Sequence, residues 1–423
     1  MEYVFLSNII RKYIKGKSPD NNVFLFSKND VEVSYLTPEY LRGIGSPIQV
    51  KNQKSFVWVE DGDIIILWDG SNAGEILKGK NGVLPSTMVK LLIFNDYYKE
   101  YVFYLLKFNE YKFKGKTQGS GIPHANKDEI ERVKIYKIDF NEQSKIAEIL
   151  MTIDDAIEKT ERIIAKYRHI KQGLLQDLLT KGIDENGNIR SEATHKFKDS
   201  PLGRIPVEWE VVNVNDIAIH VGSGSTPRGG QSVYLKEGIL FIRSQNVSFD
   251  GLLLDDVAYI DDETHKRMKR SIVKNGDVLL NITGASLGRV CVYKELNEAN
   301  VNQHVCILRP VRDLVTPEYL YLLLCSRQAK DQISSLENGT SREGLNFTQV
   351  GGLLFAFPPI QEQVAIVLTL AAKVKAIDRQ SGKVLSVIER LVEYRSAVIT
   401  NAVTGKIDVR DFQIPQPAEV QET

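Results

Sequence analysis

The chain of 423 residues carries one long pattern twice, and this internal repeat restricts the possible folds more than any other feature. The copies run over about residues 2–184 and 210–408. The clearest matching strings are residues 2–9 with 210–217, 16–19 with 224–227, 62–66 with 276–280, 70–74 with 284–288, and 141–143 with 361–363. A pattern repeated over this length predicts two similar structural halves.

Each copy begins with a region of mixed pattern and ends with a long helical stretch. Short β-branched runs at 63–67, 239–242 and 277–282 predict strands between Gly- and Asn-rich turns. An amphipathic helix is predicted near 98–108 and again near 317–332. We therefore predict an α+β fold, in which two mixed α/β domains are joined by two long helices that pair as an antiparallel coiled coil with a pseudo-two-fold internal repeat.

The repeat and the turn residues between its copies also predict the domain boundaries. The predicted segments are 1–140 for the first mixed domain, 141–183 for the first long helix, 184–208 for a connector, 209–359 for the second mixed domain, 360–406 for the second long helix, and 407–423 for a disordered tail.

Apolar residues in the long stretches recur at alternating steps of three and four, which is the pattern of a coiled-coil seam. The predicted seam residues are Leu150, Ile153, Ile157, Ile164, Tyr167, Leu174, Leu178, Val367, Val374, Ile388, Val392 and Ile399. An amphipathic helix lying on its own domain is the alternative, but about 40 residues would span roughly 60 Å, longer than such a domain is wide. Between Ala156/Ala376 and Thr180/Thr404 the copies differ in length by four residues, about one helical turn.

Composition places the chain among ordinary globular proteins. Lys and Arg number 54, as do Asp and Glu, so the net charge is zero and any binding to nucleic acid must rest on local patches. The three cysteines lack CxxC spacing, which favours reduced core thiols in a cytoplasmic protein. The first residues do not form a signal peptide, and no apolar run is long enough to span a membrane, so no membrane partner is expected.

The sequence contains few of the patterns that carry catalysis. It has no GxxxxGK[ST] phosphate loop, and Gly222-Ser223-Gly224 lacks the third glycine of a dinucleotide site. The six histidines are scattered without metal-ligand spacing. The Phe-Pro-Pro string at 357–359 lacks the polar first residue of the amino-methyltransferase motif. We therefore expect no catalytic, cofactor-binding or metal-binding residues in this chain.

Four strings resemble those of specificity subunits of type I restriction–modification enzymes. They are Pro-Leu-Gly-Arg-Ile-Pro-Val-Glu-Trp at 201–209, the Gly-Asp-Val-Leu-Leu-Asn-Ile-Thr-Gly-Ala-Ser-Leu-Gly-Arg string at 276–289, Asn-Gln-His-Val at 302–305, and Pro-Pro-Ile-Gln-Glu-Gln at 358–363. The first copy departs from this pattern: it has no Pro-Leu-Gly lead-in and carries Leu-Pro-Ser-Thr-Met at 84–88.

The resemblance implies two target recognition domains, each reading one half of a bipartite, asymmetric sequence in double-stranded DNA. It implies that the helices fix the spacing between the half-sites and dock methylation subunits. The chemistry would belong to partners: methylation subunits that bind S-adenosylmethionine, and restriction subunits that use ATP and Mg. The chain itself would be non-catalytic and cytoplasmic.

Candidate DNA contacts are basic or amide side chains in the mixed domains, since cations neutralise phosphates and Arg or Gln can read base edges. They are Lys15, Lys17, Lys51, Lys54, Lys80, Lys114, Lys116, Arg228, Lys236, Arg243, Gln245, Lys266, Lys269, Arg270, Arg289 and Arg342. A solvated surface charge is the alternative for each. At the level of the whole chain, the alternatives are a standalone DNA methyltransferase or nuclease, and an adaptor that binds protein rather than DNA.

Overall fold

The computed structural model describes residues 2–19, 31–114, 123–337, 344–406 and 409. The chain forms two compact units, one of residues 1–163 and 384–423, the other of residues 164–383. Each unit therefore combines one mixed domain with a segment of both long helices. Within the described residues, no helix is both long and apolar enough to cross a membrane. Most of the predicted disordered tail, residues 407, 408 and 410–423, lies outside the described residues.

The first mixed domain contains ten strands and three short helices among its described residues. The strands are β1 (Tyr3–Phe5), β2 (Ile10–Lys15), β3 (Glu32–Tyr35), β4 (Ile48–Lys51), β5 (Trp58–Val59), β6 (Ile64–Leu67), β7 (Ile76–Lys78), β8 (Gly82–Val83), β9 (Met88–Ile93) and β10 (Lys134–Tyr136). The helices are α1 (Pro38–Leu41), α2 (Lys99–Phe113) and α3 (Lys127–Glu131), followed by the long helix α4 (Phe140–Thr180).

The second unit begins its non-helical part with a hairpin in the segment predicted as a connector. Its strands are β11 (Phe197–Ser200), β12 (Gly203–Pro206), β13 (Glu210–Asn213), β14 (Ala218–Ser223), β15 (Ile239–Ile242), β16 (Val247–Ser248), β17 (Gly251–Leu252), β18 (Ala258–Ile260), β19 (Ile272–Val273), β20 (Val278–Asn281), β21 (Val290–Val292), β22 (Ala299–Val301), β23 (Val305–Pro310) and β24 (Leu354–Phe357). The helices are α5 (Val214–Ile217), α6 (Asp262–Arg267), α7 (Pro317–Cys325), α8 (Arg327–Glu337), α9 (Phe347–Gly351) and the long helix α10 (Ile360–Val403).

The sheets have the same topology in both domains. Strand order β2-β9-β6-β7 in the first domain corresponds to β14-β23-β20-β21 in the second, and β4-β3-β8-β5 corresponds to β18-β15-β22-β19. The pairs β3/β8 and β15/β22 are parallel, whereas their neighbours in each sheet are antiparallel. The internal repeat is therefore a repeat of architecture.

The helix predicted near 317–332 is two helices, because the chain turns at Ser326. This residue has extended backbone angles and ends α7. Its hydroxyl accepts a hydrogen bond from the N–H of Ala329 at 3.1 Å in the first turn of α8, which is the role of an N-cap. The amphipathic pattern continues across the break and so did not reveal it.

In the first unit the start of α4 runs antiparallel to the end of α10. Asp154 pairs with Arg395 at 2.8 Å, while Tyr136, ahead of α4, lies against Gly405, beyond α10. Ile146, Leu150 and Ile153 of α4 join Val398, Ile399 and Ala402 of α10 in one buried core.

In the second unit the end of α4 runs antiparallel to the start of α10. Lys171 forms an ion pair with Asp378, and the N–H of Ile183 donates to Glu362 at 3.2 Å. The described core of this unit joins apolar residues of both helices. They are Leu174, Leu178, Leu179, Ile366, Val367, Leu370 and Val374.

The prediction that Val392 lies in the seam is wrong, because its side chain is 44% exposed. The buried face of α10 at this point passes through Leu391, Arg395 and Val398 instead. A step of one residue moves a side chain by about 100° around the helix, which turns Val392 from this face toward solvent. Of the other predicted seam residues, Leu150, Ile153, Ile164, Leu178 and Ile399 are buried, whereas Ile157, Tyr167, Leu174, Val367, Val374 and Ile388 are half-buried.

The helices differ in length by three residues, since α4 has 41 residues and α10 has 44. Gly182 and Gly405 follow the two helix ends at equivalent places, with φ values of 64° and 66°. Because a left-handed glycine commonly ends a helix, the two helix lengths can be compared from these positions. Aligning the copies on Thr180 and Thr404 gives a difference of four residues instead of three. The reason is that Lys and Gly follow these two threonines in opposite order.

Equivalent buried glutamines attach each long helix to its mixed domain. The Oε1 atom of Gln143 accepts from the N–H of Tyr98 at 2.9 Å, and that of Gln363 accepts from the N–H of Thr316 at 3.4 Å. Their amide groups donate to the carbonyls of Ile138 and Pro358 at 3.1 and 3.0 Å. Buried amides with these partners fix the angle at which each helix leaves its domain.

Candidate DNA interface

In each mixed domain several strands end at the same edge, and the loops there form the candidate interface. Parallel β3 and β8 share their carboxyl ends, and the start of β9 pairs with the ends of β2 and β6. The second domain repeats this arrangement with β15, β22, β23, β14 and β20. We call these the first loop edge (residues 15–19, 68–75, 84–87 and 123–124) and the second loop edge (residues 223–228, 243–246, 282–289, 302–304 and 344).

Two glycines let the loops approach closely. A side chain on Gly16 would collide with the carbonyl groups of Leu84 and Pro85, and one on the equivalent Gly224 would collide with that of Val301. The glycine that begins the Gly-Lys-Ser-Pro and Gly-Ser-Thr-Pro strings is therefore required in both domains, because two loops are in close contact there.

Polar side chains from different loops meet in the first loop edge. Asp69 pairs with the ammonium group of Lys15 at 3.1 Å and with Nδ1 of His124 at 2.6 Å. The hydroxyls of Ser18 and Ser86 form a hydrogen bond of 2.6 Å. Four segments remote in sequence are held together in this way.

The second loop edge contains a continuous hydrogen-bonded chain. The Thr226 hydroxyl donates to Oε1 of Gln303 at 2.6 Å, and Nε2 of Gln303 lies 3.1 Å from Nε2 of His304. Nδ1 of His304 lies 2.6 Å from the Thr283 hydroxyl. Thr226 and Gln303 occupy the positions of Ser18 and Ser86, so the contact is repeated with different side chains.

The loop edges contain some of the side chains predicted to contact DNA. Lys15, Lys17, Arg228, Gln245 and Arg289 are exposed there, and Arg243 is half-buried. Lys114 is exposed. Its backbone lies against Gly74, which places it beside the first loop edge.

Other predicted contacts lie elsewhere in the same domains. Lys51 of β4 lies opposite Glu32 in the strand register, at the end of β3 that is remote from the first loop edge. Lys80 precedes β8 and donates to the carbonyl of Tyr40 at 3.0 Å, while Lys236 precedes β15 and Lys266 lies in α6. Lys54 lies between β4 and β5. Lys116 and Arg342 fall outside the described residues.

Lys269 and Arg270 line a pocket of about 290 Å³ beside β14, together with His220, Lys274 and Arg309. Burial, assisted by the nearby Arg309 guanidinium, lowers the pKa of His220. Glu298 is the only carboxylate among the lining residues described for this pocket. Its basic lining suits phosphate contact rather than base reading.

Arg243 and Gln245 share one carboxylate. Asp256 Oδ1 accepts from Nη2 of Arg243 at 3.1 Å, and Gln245 donates its amide to the other oxygen of Asp256. The guanidinium of Arg243 also lies 5.9 Å from the ring centre of Tyr234. The pair is therefore ordered, with Nη2 of Arg243 and the amide nitrogen of Gln245 bonded to one exposed acid.

Two equivalent aspartates, Asp63 and Asp277, have a structural role that the repeated Gly-Asp string did not reveal. Each accepts a backbone N–H in the turn before a central strand, from Glu60 at 2.9 Å and from Lys274 at 2.7 Å. Burial raises the pKa of Asp63, but the hydrogen bond from Glu60 and the Lys90 and Lys99 ammonium groups together hold it below its usual value.

Asp277 is bound by both Nε and Nη2 of Arg309, each at 2.8 Å. Hydrogen bonding to Asp277 raises the pKa of Arg309. These aspartates shape the sheets that position the loop edges.

A third structural carboxylate, Glu362, joins the connector to α10. It accepts from Nη1 of Arg190 at 2.6 Å, from Nε1 of Trp209 at 3.1 Å and from the N–H of Ile183 at 3.2 Å. Trp209 is fully buried. The Glu-Trp lead-in and the Gln-Glu-Gln string therefore meet in one structural cluster of the second unit.

The described residues contain no group of three or more His, Cys, Asp or Glu side chains arranged to hold a metal ion. Cys291 and Cys306 are buried, and burial raises the pKa of both thiols to about 12. Both thiols lie in the core of the second unit. The interface offers hydrogen-bond donors, acceptors and cations for binding.

Known proteins of similar sequence show the family to which this architecture belongs. The family model described as "Type I restriction modification DNA specificity domain" matches residues 1–166 and 206–390. The MjaVIII specificity subunit of a type I restriction enzyme from Methanocaldococcus jannaschii is 31% identical over 407 residues, covering 95% of this chain and 92% of that protein. The EcoBI specificity subunit from Escherichia coli is 23% identical over 362 residues, covering 83% of this chain and 74% of that protein.

A solved structure supports the fold independently of close sequence similarity. A chain from a study of complex assembly and conformational transition of the type I R-M system has a TM-score of 0.64 at 16% identity. The match covers 96% of this chain and 98% of that chain. Both copies of the repeat are thus included. The chain belongs to the type I restriction–modification DNA specificity family.

Proposed function

We propose that this chain is the sequence-specific DNA-recognition subunit of a type I restriction–modification complex. Each mixed domain would read one half of a bipartite, asymmetric target in double-stranded DNA, through its loop edge. The relatives from M. jannaschii and E. coli are named as specificity subunits, which supports this assignment.

The observation that carries the proposal is that one edge is built twice from equivalent positions but with different side chains. Ser18 and Ser86 in the first loop edge correspond to Thr226 and Gln303 in the second. Reading a DNA sequence requires a fixed backbone frame with variable donors and acceptors, because base identity is presented as a pattern of hydrogen-bonding groups. Two frames with unlike side chains suit two unlike half-sites.

The long helices would set the spacing between the half-sites and dock methylation subunits, and restriction subunits would join the assembly. We propose that the chain itself is non-catalytic and acts in the cytoplasm, where its DNA substrate is found. S-adenosylmethionine, ATP and Mg would be bound by the partners. The absence of a phosphate loop and an amino-methyltransferase motif in the sequence supports this division of labour.

Domain exchange tests the proposal. Residues 1–140 are replaced by the corresponding domain of another specificity subunit, and the complex with methylation subunits is used to methylate DNA. Base-resolution mapping of methyladenine then reports the target. We expect one half-site to change while the other and the spacing are retained.

Two results would contradict this proposal. If both half-sites changed together, the assignment of one domain to one half-site would be wrong. If the purified chain modified or cut DNA without partners, its non-catalytic role would be wrong. The unmodified wild-type complex on the same DNA is the reference for both measurements.

A further inference from the structure

Gln303 projects from the centre of the second loop edge, between β22 and β23. Its side chain is exposed, yet it is held by Thr226 of another loop and by the adjacent His304. The Thr226 hydroxyl fixes its amide oxygen at 2.6 Å, and the His304 ring fixes its amide nitrogen at 3.1 Å. An exposed glutamine ordinarily samples several rotamers, so holding it in place reduces the conformational entropy lost on binding.

The hydrogen bonds define which way the amide faces. Nε2 of Gln303 donates to Nε2 of His304, which therefore accepts as a neutral ring nitrogen. The hydrogen of that ring is then on Nδ1 and is donated to the Thr283 hydroxyl oxygen. The backbone N–H of His304 also donates to Oδ1 of Asn302 at 3.1 Å, which fixes the start of this string.

After these contacts the Gln303 amide retains one N–H and one lone pair. An amide group has two hydrogens and two acceptor lone pairs, and the network uses one of each. Among the residues that the structure describes, no other hydrogen-bond partner takes the remaining pair. Adenine presents the complementary pair in the major groove, an N6 donor beside an N7 acceptor.

We propose that Gln303 is a specificity-determining residue of the second mixed domain and reads an adenine in the major groove. Thr226 and His304 are positioning residues that hold its amide. This assignment rests on the proposed function, because it requires the second loop edge to face DNA. Ser86, the equivalent residue of the first domain, has only a hydroxyl and cannot make the same paired contact.

Selection of duplexes from a randomised double-stranded library tests the assignment. The full chain, assembled with its methylation subunits, is compared as wild type, Gln303→Ala and Ser86→Ala. We expect Gln303→Ala to reduce the preference for adenine at one position of the second half-site by about 5- to 150-fold, the range for loss of one bidentate pair. The first half-site should be unchanged.

Thr226→Val separates positioning from reading. It removes the hydroxyl that holds Oε1 but leaves Gln303 in place, so we expect a smaller loss of preference at that same position and none elsewhere. Ser86→Ala is the matched control and should leave the second half-site unaltered. Circular dichroism of each variant checks that the fold is retained.

Equal loss of affinity for every duplex after Gln303→Ala, no loss at all, or a change at a position that is not adenine would overturn the role of Gln303. In each of these cases the wild-type complex would still recognise two separate half-sites. A wild-type complex that selected no sequence would instead overturn the proposed function, and this assignment with it.

Discussion

Single residues account for the difference between the two loop edges. Lys15, Ser86 and Glu75 of the first domain occupy the positions of Ser223, Gln303 and Arg289 in the second. The backbone frame around them is the same, because the paired strands and the close approaches at Gly16 and Gly224 are repeated. The side chains presented at this edge can therefore differ without any change of fold.

Asp256 provides a prediction at this scale. Its carboxylate accepts one hydrogen bond each from Nη2 of Arg243 and Nε2 of Gln245, and it would repel phosphate groups near the second loop edge. We expect Asp256→Asn to tighten DNA binding by up to about 5-fold at low salt, the scale of an exposed ion pair. The gain should fall as salt rises. Fluorescence anisotropy with duplex DNA at several salt concentrations measures both.

Asp313→Asn is the control for Asp256→Asn, since Asp313 is an exposed acid in the turn before α7 and outside the loop edge. It removes the same charge and should change affinity less. Weaker binding by Asp256→Asn would contradict the prediction. It would indicate that Asp256 orients Arg243 for contact with DNA instead of competing with DNA.

At the scale of elements, the long helices depend on the phase of their apolar residues. In the first unit the buried face of α10 includes Val398, which is 3% exposed, whereas Val392, earlier in the same helix, is 44% exposed. Polar groups interrupt the apolar face, as the Asp154–Arg395 pair does at 2.8 Å. Such pairs fix the register, because a shift would leave each charge without its partner.

The two valines give a matched test of this phase. Val398→Ala should lower the free energy of unfolding by about 2 kcal/mol, from the lost methyl groups and the cavity they leave. Val392→Ala should change it by less than about 0.5 kcal/mol, as expected at an exposed site. Urea denaturation of the full chain, followed by circular dichroism, measures both. Equal losses would show that the assigned face of α10 is wrong.

At the scale of the whole molecule, the proposed function makes helix length a determinant of half-site spacing. Inserting four residues after Thr160 lengthens α4 by about 6 Å and nearly preserves its phase. At about 3.4 Å per base pair, the recognised gap should widen by one to two base pairs while both half-sites stay the same. Methylation mapping with the assembled complex measures the gap.

A two-residue insertion at the same site is the control, because it rotates the following apolar face by about 200° and should impair folding or assembly. If the four-residue variant assembled and kept the original spacing, the helices would not set the distance. The partner subunits would then have to position the mixed domains.

Much of the architecture follows from the sequence because it depends on local patterns. The repeated strings predicted the duplicated domain, and the steps of three and four predicted two long helices, which the structure forms as α4 and α10. Strands at 63–67 and 277–282 were recognised because apolar β-branched residues lie between glycine turns. Each of these signals can be recognised along the chain without knowing which remote residues are in contact.

The tertiary structure decided what depends on contacts between remote segments. Leu391 and Val392 are adjacent apolar residues, and only packing selects Leu391 as the one that contacts the core. Gln303 becomes a candidate reader of adenine because the loops carrying Thr226 and Thr283 converge on it and on His304. Periodicity specifies local conformation, whereas the partners of a side chain depend on how distant strands end at a common edge.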